Sequence, residues 1–264
     1  MSDDRDSRVG RALYGHELFK SGRVGEWERV SSLAEAFDAG TRAVLGDLCQ
    51  GRCLDVGAGP GTITRWLADN PRTTEVVAVD RDTHFLDNLD VQVVRTDLTA
   101  DRWQPDEPFD LIHCRFVLMF LPQRRDVLKR LASWLRPGGV LVVADPRRMY
   151  LPVTGHQPFR VAYRALWEGL VSTLSADPGW GDHYPYQLHE CGLVDVGVRV
   201  DVPPLVGAGP QARFWAGTFD QMSAHLIGSG LVDRQILDAA DAQLRDPDFT
   251  DVGMGMSIAW GKRR

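Results

Sequence analysis

The strongest indication of the fold is residues 54–62, Leu54-Asp55-Val56-Gly57-Ala58-Gly59-Pro60-Gly61-Thr62. A short apolar run ends in a glycine-rich turn, and Ile63, Trp66 and Leu67 then follow at helical spacing. A strand, a glycine turn and a helix in this order bring the backbone close to a nucleotide-like ligand, because glycine has no Cβ and reaches positive φ easily. Asp55 precedes the turn, so its carboxylate is expected at the carboxyl end of the first strand, where open parallel sheets bind ligands.

The spacing of the glycines narrows the class of ligand. Dinucleotide sites use GxGxxG, whereas this turn has Gly57, Gly59 and Gly61 at alternate positions, with Asp55 two residues before the first. The negative charge of Asp55 would repel a pyrophosphate. The same charge would attract a ligand that presents a cation, such as an amino group. The alternative interpretation is a purely structural turn.

Length, composition and charge exclude several other classes of protein. The 264 residues (29.4 kDa) fit one large domain or a domain with a cap. The net charge of −6 and the pI of about 5.6 disfavour a nucleic-acid partner. We find no apolar run of about 18 residues and no signal-like start, so we expect no membrane span and a cytoplasmic location. The 4 cysteines include no CxxC pair, which fits a reducing compartment and predicts no metal site.

Two later strands also end in acids. The segment 75–80 has the small β-branched residues of a strand buried on both faces, and Asp80 closes it. An acid at this place accepts hydrogen bonds from ribose hydroxyls, although a helix N-cap is the alternative. Asp97 and Leu98 follow a third strand at 91–95, where Asp97 could accept a bond from an adenine amine or be only a turn residue.

Alternating strands and helices predict an α/β fold, with a doubly wound parallel sheet. The other predicted elements are helices over 27–37, 41–49, 83–89, 124–135, 162–174, 214–226 and 236–244, strands over 109–114, 140–144 and 194–202, and an antiparallel last strand over 252–260.

Together these motifs resemble the class I S-adenosylmethionine-dependent methyltransferases. The resemblance rests on 54–61, Asp80, Asp97-Leu98, 109–113 and the Leu135-Arg136-Pro137-Gly138-Gly139-Val140-Leu141 segment. Two further segments, Glu26-x-Glu28-Arg29 and 259–263, are similar to segments of a bacterial small-molecule subgroup of that family.

The resemblance implies a Rossmann-like seven-stranded sheet, with the seventh strand antiparallel between the fifth and sixth. A helical cap would cover 1–50, and a core over 51–264 would carry substrate-cap insertions at about 146–190 and 204–247.

The resemblance also implies S-adenosylmethionine as cofactor and S-adenosylhomocysteine as product. Asp55 would help to hold the methionine amino group, Asp80 the ribose, and Asp97 the adenine amine. The full set of implied cofactor-binding residues is Asp55, Gly57, Ala58, Gly59, Gly61, Asp80, Arg81, Asp97, Leu98, Cys114 and Arg115.

The implied reaction is in-line displacement at the sulfonium methyl by an oxygen, nitrogen or carbon nucleophile. Candidates for a general base are His113, Asp145 and His183, with His189 and His225 as further histidines in the variable region. Tyr14 and Arg29 either touch the ligand or belong to a packed cap.

Aromatic residues in the predicted cap segments favour a small, largely apolar acceptor. We expect no membrane partner, and a monomer or homodimer. Two alternatives stay open, namely a cyclase or isomerase that keeps the cofactor without methyl transfer, and an NAD-type oxidoreductase.

Overall fold

The structure, a computed structural model, describes residues 18–20, 22–100, 103–147 and 157–264. Its strands are β1 (Gly51–Val56), β2 (Thr73–Asp80), β3 (Gln92–Arg95), β4 (Phe109–Arg115), β5 (Leu135–Pro146), β6 (Val194–Asp201), β7 (Leu205–Val206), β8 (Thr250–Asp251) and β9 (Met256–Lys262). Seven of them form one sheet in the order β3-β2-β1-β4-β5-β9-β6. The first five are parallel, and β9 is antiparallel to both β5 and β6. The predicted doubly wound sheet and the place of its antiparallel strand are confirmed.

The helices are α1 (Glu26–Leu48), α2 (Thr62–Ala68), α3 (Arg124–Ser133), α4 (Gln157–Leu174), α5 (Tyr184–Glu190), α6 (Pro210–Gly228) and α7 (Arg234–Arg245). Two short 3-10 turns, Leu118–Phe120 and Trp180–His183, accompany them. The predicted break between helices 27–37 and 41–49 is wrong, because α1 runs through it. Gly40 does not end the helix; a Cβ there would lie 2.0 Å from Asp201 Oδ2, so the glycine permits a close approach.

The predicted helix over 83–89 is also wrong. The segment instead forms consecutive turns, in which Leu86 N–H donates to Thr83 O and Leu89 N–H donates to Leu86 O. His84 N–H donates to the Asp82 carboxylate at 3.1 Å, and such side-chain bonds compete with a helical ladder. The apolar side chain of Leu86 still packs with Ala58 in a small buried cluster.

The chain divides into two compact units. The sheet unit contains the described parts of 37–148, with 179–201 and 256–264, and the helical unit contains those of 1–36 and 149–178, with 202–255. In the sheet unit, the inner strands are built from buried Val, Ile, Leu and Cys, as expected for parallel strands covered on both faces. The helical unit contains α4, α6, α7 and the β7–β8 ribbon.

Within the described ranges, none of the helices has both the length and the apolar character needed to cross a membrane.

Candidate active site

Three left-handed glycines form the turn after β1. Gly57, Gly59 and Gly61 have φ of 69°, 52° and 73°, a region that other residues enter only with strain. The N–H groups of Gly57 and Ala58 donate to Val79 O at 2.8 and 3.3 Å, which holds the turn against β2. A Cβ on Gly57 would lie 2.1 Å from Val117 Cγ2.

Gly59 differs from its neighbours in the space around it. A Cβ built there would meet only Gly57 O, at 3.9 Å. The turn therefore leaves an open surface above Gly59, at the carboxyl edge of the sheet. Gly61 is packed, since a Cβ there would approach Leu89 Cδ1 to 2.8 Å.

Asp80 joins this turn to the end of β2. Its Oδ2 accepts a hydrogen bond from Gly59 N–H at 2.9 Å, and its Oδ1 accepts one from Asp82 N–H at 2.9 Å. Burial raises the pKa of Asp80 above its ordinary value, although the backbone donors at Asp82 and Gly59 oppose the shift. A carboxylate has about four acceptor sites, so these bonds leave capacity for ligand hydroxyls.

Asp55 lies beneath the turn with both oxygens engaged. Its Oδ2 accepts from Thr64 Oγ1 at 2.6 Å, and its Oδ1 lies 2.8 Å from His113 Nδ1. Burial opposes ionisation of this carboxyl, but the hydrogen bonds from His113 and from the hydroxyl of Thr64 hold the pKa of Asp55 below its ordinary value. Asp55 is therefore an anion at neutral pH, and only 2% of it is exposed.

Asp97 and its neighbours follow β3 at the same edge. Asp97 Oδ1 accepts from the N–H and Oγ1 of Thr99, at 2.8 and 2.7 Å, so a turn of the predicted kind is present. The carbonyl of Leu98 accepts from Arg130 Nη2, and the carbonyl of Arg81 accepts from Arg95 Nε. The structure thus brings Arg81, Asp97 and Leu98 to the carboxyl edge, and their ligand roles stay predictions.

The end of β4 is held rigidly. Arg115 Nη1 donates to Thr41 Oγ1 at 2.9 Å, and Nη2 donates to Asp38 Oδ1 at 2.7 Å. The next residue, Phe116, has φ of 55°, which is strained for a residue with a side chain. Cys114 is buried, which raises the pKa of its thiol well above the ordinary value. Cys114 and Arg115 are the last two residues of β4, so they lie near the carboxyl edge, and their cofactor-binding roles stay predictions.

Asp145 lies near the end of β5 and is 1% exposed. Its Oδ2 accepts from Met119 N–H at 3.2 Å and from the hydroxyl of Tyr184. The Tyr184 ring is fully buried, and burial beside Asp145 raises the pKa of its phenol well above the ordinary value. These contacts anchor α5 and the turn after β4 to the sheet.

The other predicted site histidines are dispersed. His183 and His189 are exposed on the sheet unit, while His225 Nε2 lies 2.7 Å from Thr173 Oγ1 in the helical unit. Arg29, also in the helical unit, makes a two-bond ion pair with Glu26. Tyr14 lies outside the described residues. The role of His183 as a base therefore stays a prediction.

The sequence alone did not identify three residues that contact the candidate site residues, namely Thr64, Val117 and Tyr184. Thr64 lies in an ordinary helical pattern, and nothing in its spacing from Asp55 marks it as a partner. Tyr184 lies in an aromatic-rich segment, and the aromatic pattern alone does not reveal its hydrogen bond to Asp145. Among the described residues, no group of three or more His, Cys, Asp or Glu side chains could hold a metal ion.

Comparison with known proteins identifies methyltransferases that are similar to this chain. The family described as "Methyltransferase domain" matches residues 27–194. Trans-aconitate 2-methyltransferase from Rhizobium rhizogenes is 33% identical over 104 residues, which is 38% of this chain and 41% of that protein. The enzyme of the same name from Rhizobium etli is 27% identical over 179 residues, which is 63% of this chain and 68% of that protein. The chain thus matches less than half of the first of these relatives.

Solved structures agree on the fold. The YcgJ protein from Bacillus subtilis has a TM-score of 0.55 and 16% identity, covering 86% of this chain and 99% of that one. A phosphoethanolamine N-methyltransferase from Haemonchus contortus, solved with S-adenosylhomocysteine, has a TM-score of 0.54 and 14% identity, covering 89% of this chain and 57% of that one. The family match spans more than half of the chain, and the strand order and glycine turn agree with it. The chain belongs to the class I S-adenosylmethionine-dependent methyltransferase family.

Proposed function

We propose that this protein transfers the methyl group of S-adenosylmethionine to a small-molecule acceptor. The observation that carries the proposal is the open left-handed turn at Gly59, whose N–H is bonded to Asp80 at the carboxyl edge of the sheet. Membership of the methyltransferase family supports the same activity.

The side chains at this edge fit an adenosyl amino acid. A side chain at Gly59 would project into the open space above the turn, so a glycine there leaves room for a ligand to approach the backbone closely. Asp80 has acceptor capacity for ribose hydroxyls, and the buried charge of Asp55 favours a cationic ammonium near the turn. A pyrophosphate would meet that same negative charge, which argues against an NAD-type ligand.

When bound, S-adenosylmethionine supplies a methyl group already activated on a positively charged sulfur. The residues of this chain then have to bind and orient, and orientation alone can lower a barrier by about 7–11 kcal/mol in favourable intramolecular systems. The glycine turn and Asp80 would fix the cofactor. The rigid end of β4 at Arg115 and Phe116 would limit how the reacting end moves.

We further propose that the acceptor is small and largely apolar, as in secondary metabolism, and that the protein acts in the cytoplasm. The helical unit contains an aromatic cluster. In it the ring centroid of Trp215 lies 5.0 Å from that of Tyr163 and 4.7 Å from that of Phe214. Burial raises the pKa of Tyr163 to about 12, so its phenol is neutral at physiological pH. Family members vary their acceptor through inserted segments of this kind.

A small carboxylic acid is the second candidate acceptor. It is favoured by the name trans-aconitate 2-methyltransferase, which both relatives above carry. The two candidates differ in charge, and one experiment separates them.

Purified protein is incubated with S-adenosylmethionine and a panel of acceptors, and released S-adenosylhomocysteine is quantified by mass spectrometry. The panel pairs planar apolar phenols and amines with trans-aconitate and related di- and tricarboxylates. Turnover with an apolar member supports the first candidate, and turnover with acids alone replaces it by the second. A third outcome is that the protein binds the cofactor and changes a substrate chemically but releases no S-adenosylhomocysteine. That outcome would contradict methyl transfer and favour the cyclase or isomerase alternative.

A further inference from the structure

A buried hydrogen-bonded chain runs under the glycine turn from Thr64 through Asp55 to His113. The Thr64 hydroxyl donates to Asp55 Oδ2 at 2.6 Å, and His113 Nδ1 lies 2.8 Å from Asp55 Oδ1. Asp55 and His113 are each 2% exposed. An ionised carboxylate at such a depth depends on its donors, because water cannot replace them.

The chain connects both ends of the turn. Asp55 is in β1, two residues before Gly57, whereas Thr64 is in α2, three residues after Gly61. One carboxylate therefore holds the strand and the helix at a fixed separation, with the three left-handed glycines between them. Any movement of the carboxylate would be transmitted to the turn.

His113 determines where that carboxylate lies. In the parallel pairing of β1 with β4, His113 is the direct partner of Asp55, so both side chains project from the same face. Since Asp55 only accepts hydrogen bonds, the pair at 2.8 Å requires a proton on Nδ1 of the imidazole. The other nitrogen, Nε2, is buried and has no hydrogen-bond partner among the described residues.

That arrangement does not suit a general base for the acceptor. A base needs a nitrogen within hydrogen-bond reach of the substrate proton, directly or through one water. Nδ1 of His113 is occupied by Asp55, and Nε2 is enclosed in the sheet unit.

Resting on the proposed function, we propose that His113 is a positioning residue for the cofactor site, which acts through Asp55 to hold the glycine turn in its binding conformation. The nitrogen that matters is Nδ1, and the residue makes no contact with the acceptor.

The test compares two amide substitutions. In His113→Asn the amide nitrogen is attached at Cγ, as Nδ1 is, and it can still donate to Asp55. In His113→Gln the amide nitrogen is attached one atom further out, at the position that corresponds to Nε2, and the bond to Asp55 is lost. Both variants remove most of the ring, so a purely structural role predicts similar losses from both.

The measurements are the Kd for S-adenosylhomocysteine by calorimetry, KM and kcat for methyl transfer, and the free energy of unfolding in urea. We expect His113→Asn to bind within about threefold of the wild type, and His113→Gln to bind at least about tenfold more weakly, with KM for the cofactor rising more than kcat falls. Equal affinities in all three proteins, or equal losses in both variants, would overturn the inference. A fall in kcat in both variants at unchanged Kd would overturn it in favour of a base.

A measurement on the wild-type protein covers the case in which the variants do not fold. Spectra of ¹⁵N-histidine-labelled protein should show a buried imidazole protonated at Nδ1, whose proton exchanges slowly with water and shifts when S-adenosylhomocysteine is added. An Nε2-protonated tautomer for every buried histidine would overturn the inference. A wild type that binds neither S-adenosylmethionine nor its product would overturn the proposed function itself, and this inference with it.

Discussion

Alanine substitutions at Gly57 and Gly59 should have different effects, because the two glycines are needed for different reasons. Either alanine would hold a left-handed φ, which destabilises by about 1–2 kcal/mol. At Gly57 the new Cβ would also lie 2.1 Å from Val117 Cγ2. Relieving such an overlap typically takes a further ~1–3 kcal/mol. We therefore expect Gly57→Ala to lower the free energy of unfolding by ~2–5 kcal/mol in total.

Gly59→Ala meets no such neighbour, so its loss of stability should stay near ~1–2 kcal/mol. Its Cβ would instead occupy the open surface where we place the cofactor. We expect the Kd for S-adenosylhomocysteine to rise at least about tenfold, or ~1.4 kcal/mol. Urea unfolding without ligand and calorimetry with ligand measure the two quantities separately.

Two controls make the comparison specific. Gly46 lies in α1 with nothing within 4 Å of a built Cβ, so Gly46→Ala should leave affinity unchanged and add ~0.5–1 kcal/mol of stability. In the Gly57→Ala background, Val117→Ala removes the opposing methyl groups and should recover part of the lost stability, as a double-mutant cycle would show. The reasoning is refuted if Gly57→Ala is no more destabilising than Gly59→Ala, or if Gly59→Ala leaves affinity intact.

Three further outcomes are expected. Asp80→Asn should weaken S-adenosylhomocysteine binding at least about tenfold in calorimetry, because it removes an anionic acceptor for ribose hydroxyls; unchanged affinity would exclude that role. Tyr184→Phe removes a donor from buried Asp145 and should destabilise by ~1–3 kcal/mol in urea, with kcat largely retained; a kcat loss without destabilisation would instead assign the pair to catalysis. The carboxylate of Asp55 should stabilise the fold fully above its unfolded pKa of about 3.9, and this contribution should be lost as pH falls through the lower folded pKa. Asp55→Asn should remove that acid-side fall in stability, and an unchanged pH profile would contradict the assignment.

The sheet was predictable because its signals are local and strong. The run before Gly57 and the β-branched segment ending at Asp80 each show a buried strand, and the glycine turn shows where the first one stops. The spacing of these elements then limits the topology, since parallel strands joined by helices permit few arrangements. The antiparallel last strand followed from its alternating pattern, and its place between β5 and β6 followed from the family resemblance.

The errors arose where tertiary contacts override local preference. Gly40 would be expected to end a helix, but the approach of the Asp201 carboxylate makes a glycine necessary inside α1. The segment around Leu86 has a helical apolar spacing, yet the Asp82 carboxylate competes for backbone donors and turns form instead.

For the candidate site, the sequence predicted which acidic residues lie at the carboxyl edge of the sheet, and their cofactor-binding roles stay predictions. Acids that follow strands must meet at one edge of a parallel sheet, so Asp55, Asp80 and Asp97 could be placed from the sequence. Side-chain partners from other elements could not be placed, because no pattern in one sequence links Thr64 to Asp55 or Tyr184 to Asp145. Those partners show that His113 and Asp145, both candidates for a base, already bond to buried groups.

We propose that the carboxyl edge of the sheet, around Gly59 and Asp80, binds an adenosyl amino acid. Titration calorimetry of the wild-type protein with S-adenosylhomocysteine, and with NAD under the same conditions, tests it most directly. We expect saturable one-to-one association with the adenosyl amino acid and no heat of binding with NAD. Association with NAD alone, or with neither compound, would show that this edge does not bind an adenosyl amino acid.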